Sequence, residues 1–337
     1  MSKVAIVVLN WNGKHFLERF IPGILEHLPD YAELIIADNC STDDSVDFLK
    51  ENYPSLRLVI NQENGGFAKG YNDALKEIDS EYYVLLNSDI EIKSDWIEPI
   101  YELMESDKHI GICQPKIKDQ KNPDLLEYAG AGGGYIDYLG FPFCRGRIFQ
   151  DIEEDKGQFN DIKQIFWATG AAMFIRSNVY HELNGLDEDF FAHMEEIDLC
   201  WRAQNAGHKV FYNGASEVYH VGGGTLPKKN TRKAYLNFRN NLAMMVKNSP
   251  KKNFYPRLFF KMILDGIAAF KFLLEGDFGQ FKAVFQAHMT FYKECRKNLK
   301  KRKELNQKDY KYLPVYSKSI VKKYYLNSVK LFEKLNW

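Results

Sequence analysis

Four apolar runs of strand length, each followed by a stretch with helical spacing, occupy the first 110 residues. The runs are Val4–Leu9 (VAIVVL), Leu34–Ala37 (LIIA), Leu56–Ile60 and Tyr82–Leu86 (YYVLL). The helical stretches are Lys14–Leu28, Asp43–Asn52, Phe67–Ile78 and Ser94–Ser106. A strand that is apolar at every position must be covered on both faces. The pattern therefore predicts βαβ units and a mostly parallel sheet between helices. In such sheets ligands bind outside the carboxyl ends of the strands. The first run reaches the polar Asn10 at once, so it reads as a first buried strand and not as a signal peptide.

A chain of 337 residues holds one large domain plus an appendage, or two domains. With 45% apolar and 27% charged residues it is not a disordered chain. The five cysteines are odd in number and form no C-x-x-C pair, which argues against a disulfide framework or a zinc site and fits a reducing cytoplasm. Net charge is zero but unevenly spread. Residues 251–337 carry 20 Lys and Arg against 7 Asp and Glu, leaving 25 against 38 for the rest. An acidic body that can hold a metal and a basic tail that meets an anionic surface are expected. Nucleic acid is not an expected partner. The most apolar stretch, FYPRLFFKMILDGIAAFKFLL, is broken by Arg257, Lys261, Asp265 and Lys271, so no membrane span is expected.

After residue 110 the pattern loosens. Gln114–Ile162 is Gly-rich and irregular, the signature of binding loops or lids. Gln164–Ile175 (QIFWATGAAMFI) reads as strand, turn, strand. Glu195–Asn205 is a predicted helix with Gly207 as its C-cap. Beyond His220-Val221-Gly222-Gly223-Gly224 the character turns helical, with helices expected over Lys229–Lys247, Phe254–Leu274 and Phe281–Lys303.

Polar residues follow each early strand: Asn10, Trp11 and Asn12; Asp38, Asn39, Ser41 and Asp43; Asn61 to Gly66; and Asn87, Ser88 and Asp89. Ordinary strand-end turns favour the same residue types. Four such clusters along one rim shift the balance toward a ligand. Asn64-Gly65-Gly66-Phe67-Ala68-Lys69-Gly70 precedes a helix, where glycines let a backbone approach a diphosphate and the helix N-terminus favours its charge. It has neither the dinucleotide nor the P-loop spacing. Asp89 is a candidate carboxylate for a hard divalent cation, and His220 a second candidate ligand. In FAHMEEIDLCWR, Glu195, Asp198 and Arg202 share one helix side, and one of the acids is expected to pair with Arg202. Glu196 points elsewhere, with Leu199, Cys200 and Ala203. A carboxyl buried there without a cation has its pKa pushed up toward what a general base requires.

The set VVLNWNG, IIADNCSTDDS, NGGFAKGYNDAL, LLNSDIEI, WATGAAMFIR, FFAHMEEIDLCWR and YHVGGGT, in order from Lys3 to Thr225, resembles a bacterial glycosyltransferase of family 2, of the rhamnosyltransferase-like type. The resemblance implies an α/β fold of the GT-A kind: a Rossmann-like, mostly parallel central sheet with flanking helices, followed here by a helical C-terminal region. Residues 1–226 would be the catalytic domain, with a nucleotide-binding half (1–110) and an acceptor-binding half (111–226), and 227–337 a basic helical region. Carried over by position, Asn10, Asn12 and Asp38 hold the nucleoside, and Asn64, Gly66 and Gly70 contact the nucleotide sugar. Asn87 and Asp89 match a D-x-D metal motif whose first Asp is replaced, which leaves Asp89 as the metal carboxylate and Asn87 on the nucleotide or a water. His220 matches a late metal-binding histidine. Glu195-Glu196 matches an acid pair whose second member is the base, although Glu196 is one methylene longer than the usual Asp. Trp167 and Gly170 fall on the acceptor side. Trp167 either stacks on the acceptor sugar or is a core aromatic beside Phe166.

The implied reaction is an inverting transfer of a sugar, with rhamnose as the candidate, from a nucleoside-diphosphate sugar to a glycan or lipid-linked glycan acceptor. Mg2+ or Mn2+ would serve as cofactor. A sugar-nucleotide pyrophosphorylase would need a basic Gly-rich loop after the first strand, where this chain has NWNGKH. A non-catalytic sugar-nucleotide or glycan-binding subunit would have no need of the acid pair or His220. The basic run Lys293–Lys303 (KECRKNLKKRK), with Tyr324, Tyr325 and Trp337, is expected either to pack on the catalytic domain or to attach the enzyme peripherally to the inner, anionic face of the cell membrane.

Overall fold

The computed structural model describes residues 2–222 and 230–337. The end of the glycine run after His220 (Gly223, Gly224), Thr225, the 226/227 boundary and the expected helix start at Lys229 lie outside the described residues.

The nucleotide half follows the predicted alternation: β1 (Val4–Asn10), α1 (Lys14–Glu26), β2 (Ala32–Asp38), α2 (Ser45–Asn52), β3 (Arg57–Ile60), α3 (Gly66–Leu75), β4 (Tyr82–Asn87), the short β5 (Ile90–Glu91) and α4 (Glu98–Ser106). Then come β6 (Ile110–Asp119), β7 (Gly134–Ile136), β8 (Pro142–Cys144), β9 (Arg147–Ile148), β10 (Asp151–Ile152), β11 (Ile162–Gln164), β12 (Ala172–Arg176), α5 (Ser177–Glu182), α6 (Glu195–Ala206) and β13 (Lys209–His220). The C-terminal region supplies α7 (Thr231–Asn248), α8 (Phe254–Leu274), α9 (Phe278–Glu304) and α10 (Ile320–Tyr325).

One nine-stranded sheet runs in the order β11-β13-β6-β12-β4-β1-β2-β3, with β5 paired to β13. The pairs β1–β2, β1–β4, β2–β3 and β6–β13 are parallel, while β12 runs antiparallel to both its neighbours. The sheet thus passes without a break from the first half of the chain into the second. Its centre is apolar at every position because both faces are covered. Ala5, Val7, Ile35, Tyr83 and Leu85 face Tyr71, Ala74 and the α6 side. Val4, Ile6, Val8, Ile36 and Val84 face Leu17 and Ile21 of α1 and Ile100 and Met104 of α4. Each fully buried aliphatic side chain contributes about 1.5–3 kcal/mol of transfer free energy.

Three sequence expectations change. The Gly-rich stretch is not all loop: it folds a second, four-stranded antiparallel sheet, β10-β9-β8-β7. The long strands β6 and β13 escaped the apolar-run criterion because polar residues such as Gln114, Lys116, Asn213 and Ser216 are buried within them. Finally, the C-terminal segment turns back onto the small sheet. Tyr316 N donates to Ile136 O at 2.9 Å and Ile320 N to Asp137 Oδ2 at 3.0 Å. Tyr324 packs on Phe149, and Trp337 packs on Tyr135 and Tyr316. These contacts hold the tail on the body, the first of the two placements expected for its aromatics, while Tyr325 and Trp337 stay 52% and 53% exposed.

Candidate active site

Parallel register sets the rim of the site. Asn10 at the end of β1 lies beside Asp38 at the end of β2, and Leu9 lies beside Asn87 at the end of β4. Asn10 Nδ2 donates to Asp38 Oδ2 at 2.9 Å, and Asp38 also accepts from the amide and hydroxyl of Ser41. Both residues are fully buried, and Asn10 Oδ1 has no partner among the described residues. Asn12, at φ 51°, accepts from the amides of Thr42 and Asp43 and so ties the β1 turn to the β2 turn.

The Asn64–Gly70 segment does something other than expected. Asn64 Oδ1 accepts from Asn39 Nδ2 and from Gly66 N. The first free amides of α3, those of Phe67 and Ala68, donate to the Phe191 carbonyl at 2.8 and 3.4 Å. Gly66 has φ +80°, and a Cβ there would meet the Phe191 carbonyl at 2.5 Å; at Gly70 it would meet the Asn39 amide at 3.0 Å. These glycines admit protein, and the helix terminus is occupied by the loop that carries the acid pair. In this structure the segment forms a loop-to-loop clamp.

That loop is built under constraint. Phe191, His193 and Met194 have φ of 62°, 69° and 73°, a left-handed run that a non-glycine chain adopts only when its surroundings impose it. Asn240 of α7, fully buried, imposes it by donating to the carbonyls of Phe190, Ala192 and His193 at 3.0, 2.9 and 2.7 Å. The helix that follows, α6, begins at Glu195 and ends at Gly207, whose φ of 116° and whose amide, donated to the Ala203 and Gln204 carbonyls, make the expected C-cap. Asp198 is fully buried and serves structure: it accepts from Arg202 Nε at 2.8 Å, Lys247 Nζ at 2.9 Å and Asn248 Nδ2 at 2.7 Å. The expected pairing with Arg202 is therefore made by Asp198.

Among the described residues Glu195 and Glu196 have no such cation, and each has one carboxyl oxygen buried without a partner. Burial pushes Glu196 up to about 7, against the backbone amides at the start of α6. Burial and the adjoining Glu196 charge push Glu195 well above the usual carboxylate range. Gly170 lies between the two halves of the site: a Cβ there would meet Phe67 of α3 at 2.9 Å and Glu196 Cβ at 3.7 Å. The next residue, Ala171, accepts from Asn87 N at 3.0 Å, so the Thr169–Ala171 turn links the acid pair to the rim. Trp167 does not face the site. It is buried, its Nε1 donates to Tyr135 O at 3.0 Å, and its ring covers Gly134. Its core role is the one the structure shows, which corrects its place among acceptor-side residues.

Antiparallel pairing of β13 with β5 sets His220 beside Ile90, and hence next to Asp89. His220 Nε2 lies 3.1 Å from Asp89 Oδ1 and 3.5 Å from Asn87 Nδ2. On the other side of the ring, Nδ1 lies 3.4 Å from Glu127 Oε2, an ion-pair separation without hydrogen-bond geometry. Burial opposes a charged ring here, but the two carboxylates outweigh it and hold His220 up at about 10. Glu127 carried no sequence signal, since it sits in the irregular stretch and reaches His220 only through the fold. Among the described residues no group of three or more His, Cys, Asp and Glu side chains is arranged to hold a metal. Asp89 and His220 would fit a divalent cation that displaces the proton from His220 Nε2 and finds further ligands outside the chain. Glu127 stands behind the ring, where its carboxylate would fix the orientation of the imidazole toward such a cation.

Comparison with known proteins bears on the family and the fold. Over 252 residues the chain is 23% identical to a low-salt glycan biosynthesis hexosyltransferase of Haloferax volcanii, covering 71% of this chain and 74% of that one. Over 233 residues it is 23% identical to an N-acetylglucosaminyl-diphospho-decaprenol L-rhamnosyltransferase of Mycobacterium tuberculosis, covering 64% and 75%. In fold it is similar to a mannosyltransferase of Pyrobaculum calidifontis solved with GDP-Man and Mn2+, with a TM-score of 0.51, 14% identity and coverage of 86% and 87%. It is also similar to GalNAc-T7 solved with UDP, GalNAc and Mn2+, with a TM-score of 0.56, 14% identity and coverage of 74% and 49%. The sheet and its flanking helices are the GT-A fold. The model of the family described as Glycosyl transferase family 2 matches residues 5–183, more than half of the chain, and the chain belongs to that family.

Proposed function

We propose that this chain is an inverting, metal-dependent glycosyltransferase that moves a sugar, rhamnose by preference, from a nucleoside-diphosphate donor to a hydroxyl of a glycan or lipid-linked glycan in cell-surface polysaccharide synthesis. Residues 1–226 form the catalytic unit in this reading. The observation that carries it is the Thr169–Ala171 turn, which sets a raised-pKa carboxyl, Glu196, on one side and the Asn87-Asp89-His220 rim on the other. Rhamnose is favoured because two relatives, of M. tuberculosis and of Escherichia coli, are named rhamnosyltransferases.

Glu196 takes the acceptor hydroxyl proton as the oxygen attacks the anomeric carbon, and the nucleoside diphosphate leaves from the opposite face with the bonding pair. One displacement inverts the anomeric centre. Burial and the adjoining Glu196 charge push Glu195 well above the usual carboxylate range, which disfavours a second full charge beside the base. Asp38, locked by Asn10 and Ser41, presents a fixed acceptor at the nucleoside end. Asp89 and His220 would hold Mg2+ or Mn2+, which when bound neutralises charge developing on the diphosphate. The two structural neighbours solved with Mn2+ support that cofactor. A pyrophosphorylase gains no support, because the turn after β1 is closed by Asn12 and offers no basic glycine loop. A lipid-linked acceptor would place the enzyme at the inner face of the cell membrane.

The test incubates the protein with dTDP-rhamnose and a panel of UDP- and GDP-hexoses, with Mn2+, Mg2+ or excess chelator. Metal-dependent donor hydrolysis or transfer is expected, with inverted product by NMR. Glu196→Gln should lower turnover about 10²–10⁴-fold while leaving donor binding nearly intact. Retained configuration, full activity in chelator, or an active Glu196→Gln beside a dead Glu195→Gln would each overturn the corresponding part.

A further inference from the structure

α8 is amphipathic in the inverted sense. The two charges at its middle point inward: Lys261 and Asp265 are 2% and 0% exposed and form an ion pair with each other. His288 of α9 lies 3.4 Å from Asp265, and the Lys261 ammonium sits 4.0 Å from the Phe141 ring centroid. The opposite face is apolar and open. Tyr255, Phe259, Phe260, Ile263, Ile267, Phe270 and Leu274 are 43–76% exposed. At about 100° per residue they fall within an arc of roughly 140°, bordered by Lys271. After the Gly276 turn, α9 adds an exposed row at Phe278, Phe285, Met289 and Tyr292, flanked by the exposed Lys282 and Lys293. Single exposed apolar residues need no explanation, but a contiguous row this long marks a contact surface.

We infer that the outer face of α8, continued on α9, is a membrane-docking surface that lies in the interface of an anionic bilayer. Three observations select a lipid occupant over a second copy of the chain. The apolar row is edged on α9 by the exposed Lys282 and Lys293 and on α8 by Lys271, which pairs with Glu275, and residues 251–337 carry 20 Lys and Arg against 7 Asp and Glu. An identical copy would bring the same cations against themselves, whereas acidic headgroups complement them. Phe and Tyr dominate the row, the side chains that settle at the interface when an amphipathic helix lies in the plane of the membrane. And no helix among the described residues is long and apolar enough to cross a membrane, so contact of this face is peripheral. The basic run does not provide this contact alone: Lys297 and Lys301 are engaged by Asp189 and Asp187, and Arg302 by the Val246 and Ser249 carbonyls. The inference extends the lipid-linked-acceptor reading, and vesicle binding is scored apart from sugar transfer so that either can fail alone.

The experiment measures cosedimentation of the full chain with phosphatidylcholine vesicles containing or lacking phosphatidylglycerol, at low salt. Wild type should bind the anionic vesicles. The double variant Phe259→Ser/Ile263→Ser, changed only at exposed positions, should bind at least tenfold more weakly with an unchanged melting temperature and unchanged donor hydrolysis. In a second variant, Phe260→Trp, added tryptophan emission should shift to the blue on anionic vesicles. Absence of wild-type binding, or wild-type binding by the Ser variant, would overturn the inference. So would a wild-type dimer in light scattering that ignores vesicles and becomes monomeric in the Ser variant, which would assign the face to a second copy.

Discussion

Glu195 and Glu196 are neighbours on one helix start, yet burial raises both above the pH at which the unfolded chain would release their protons. A carboxyl with a raised folded pKa favours the folded state most below the unfolded value, near 4.5, and that contribution is lost as pH climbs through the folded value. For Glu196 the window runs from about pH 4.5 to about 7. Glu195→Gln, which mimics the protonated form, should therefore melt higher than wild type at pH 8 and nearly equal to it at pH 4.5, as read by circular dichroism; equal melting at pH 8 would show that the pair is not desolvated. Glu127→Gln removes the charge behind His220 and should weaken Mn2+ affinity about 10–100-fold in calorimetry; because it also removes one of the two charges that hold the buried ring protonated, it should lower the metal-free melting temperature near pH 7. The rim residues Asn10, Asp38, Asn87 and Asp89 were legible in the sequence because a strand end is a local feature. Glu127 was not, because its partner lies 93 positions away on β13 and nothing local marks it. Trp167 was ambiguous because an aromatic beside a glycine turn suits a sugar and a core equally well. Only its bond to the Tyr135 carbonyl decides between them.

At the scale of elements, the βαβ alternation was readable because its strands are apolar on both faces. β6 and β13 were not, since the sheet buries Lys116 against Asp155 and holds Gln114 by hydrogen bonds, polar choices that mimic a loop when read along the chain. The NGGF segment shows the same limit from the other side. Its glycines were rightly read as sites of close approach, but the approaching atom is the Phe191 carbonyl. Gly66→Ala should accordingly displace the acid-bearing loop, costing on the order of 2 kcal/mol of stability through the φ of +80° and the 2.5 Å approach, and lowering turnover with it. Gly266→Ala is the control. Its Cβ meets nothing within 4 Å inside α8, so it should stabilise the protein by about 0.5–1 kcal/mol in a denaturant melt. A Gly66→Ala protein with wild-type stability and turnover would refute the clamp.

Across the whole molecule, the helical region is part of the scaffold of the site. Asn240 of α7 holds the acid loop, and Lys247 and Lys301 both pair with Asp187 just ahead of it. The sequence marked this region as helical and basic, but it could not show that Tyr316 is buried and that Tyr324 and Trp337 pack on the body, because their partners on and around the small sheet lie far back in the chain. Deleting residues 310–337 strips Tyr316, Ile320 and Leu335 from the core they join. The truncated protein should melt well below the full chain and bind a hydrophobic dye; an unaltered melting curve would show the tail to be dispensable. The bond from Ile320 N to Asp137 Oδ2 spans 183 residues. Such a contact carries a cost in time, since long-range pairings are the slow steps of folding. During synthesis the small sheet is made early and waits, with Tyr135 and Phe143 uncovered, until the ribosome has delivered the segment that closes over it. The interval between those two events is when this protein is most exposed to aggregation, and a chaperone that shields Gly134–Cys144 would act in that interval.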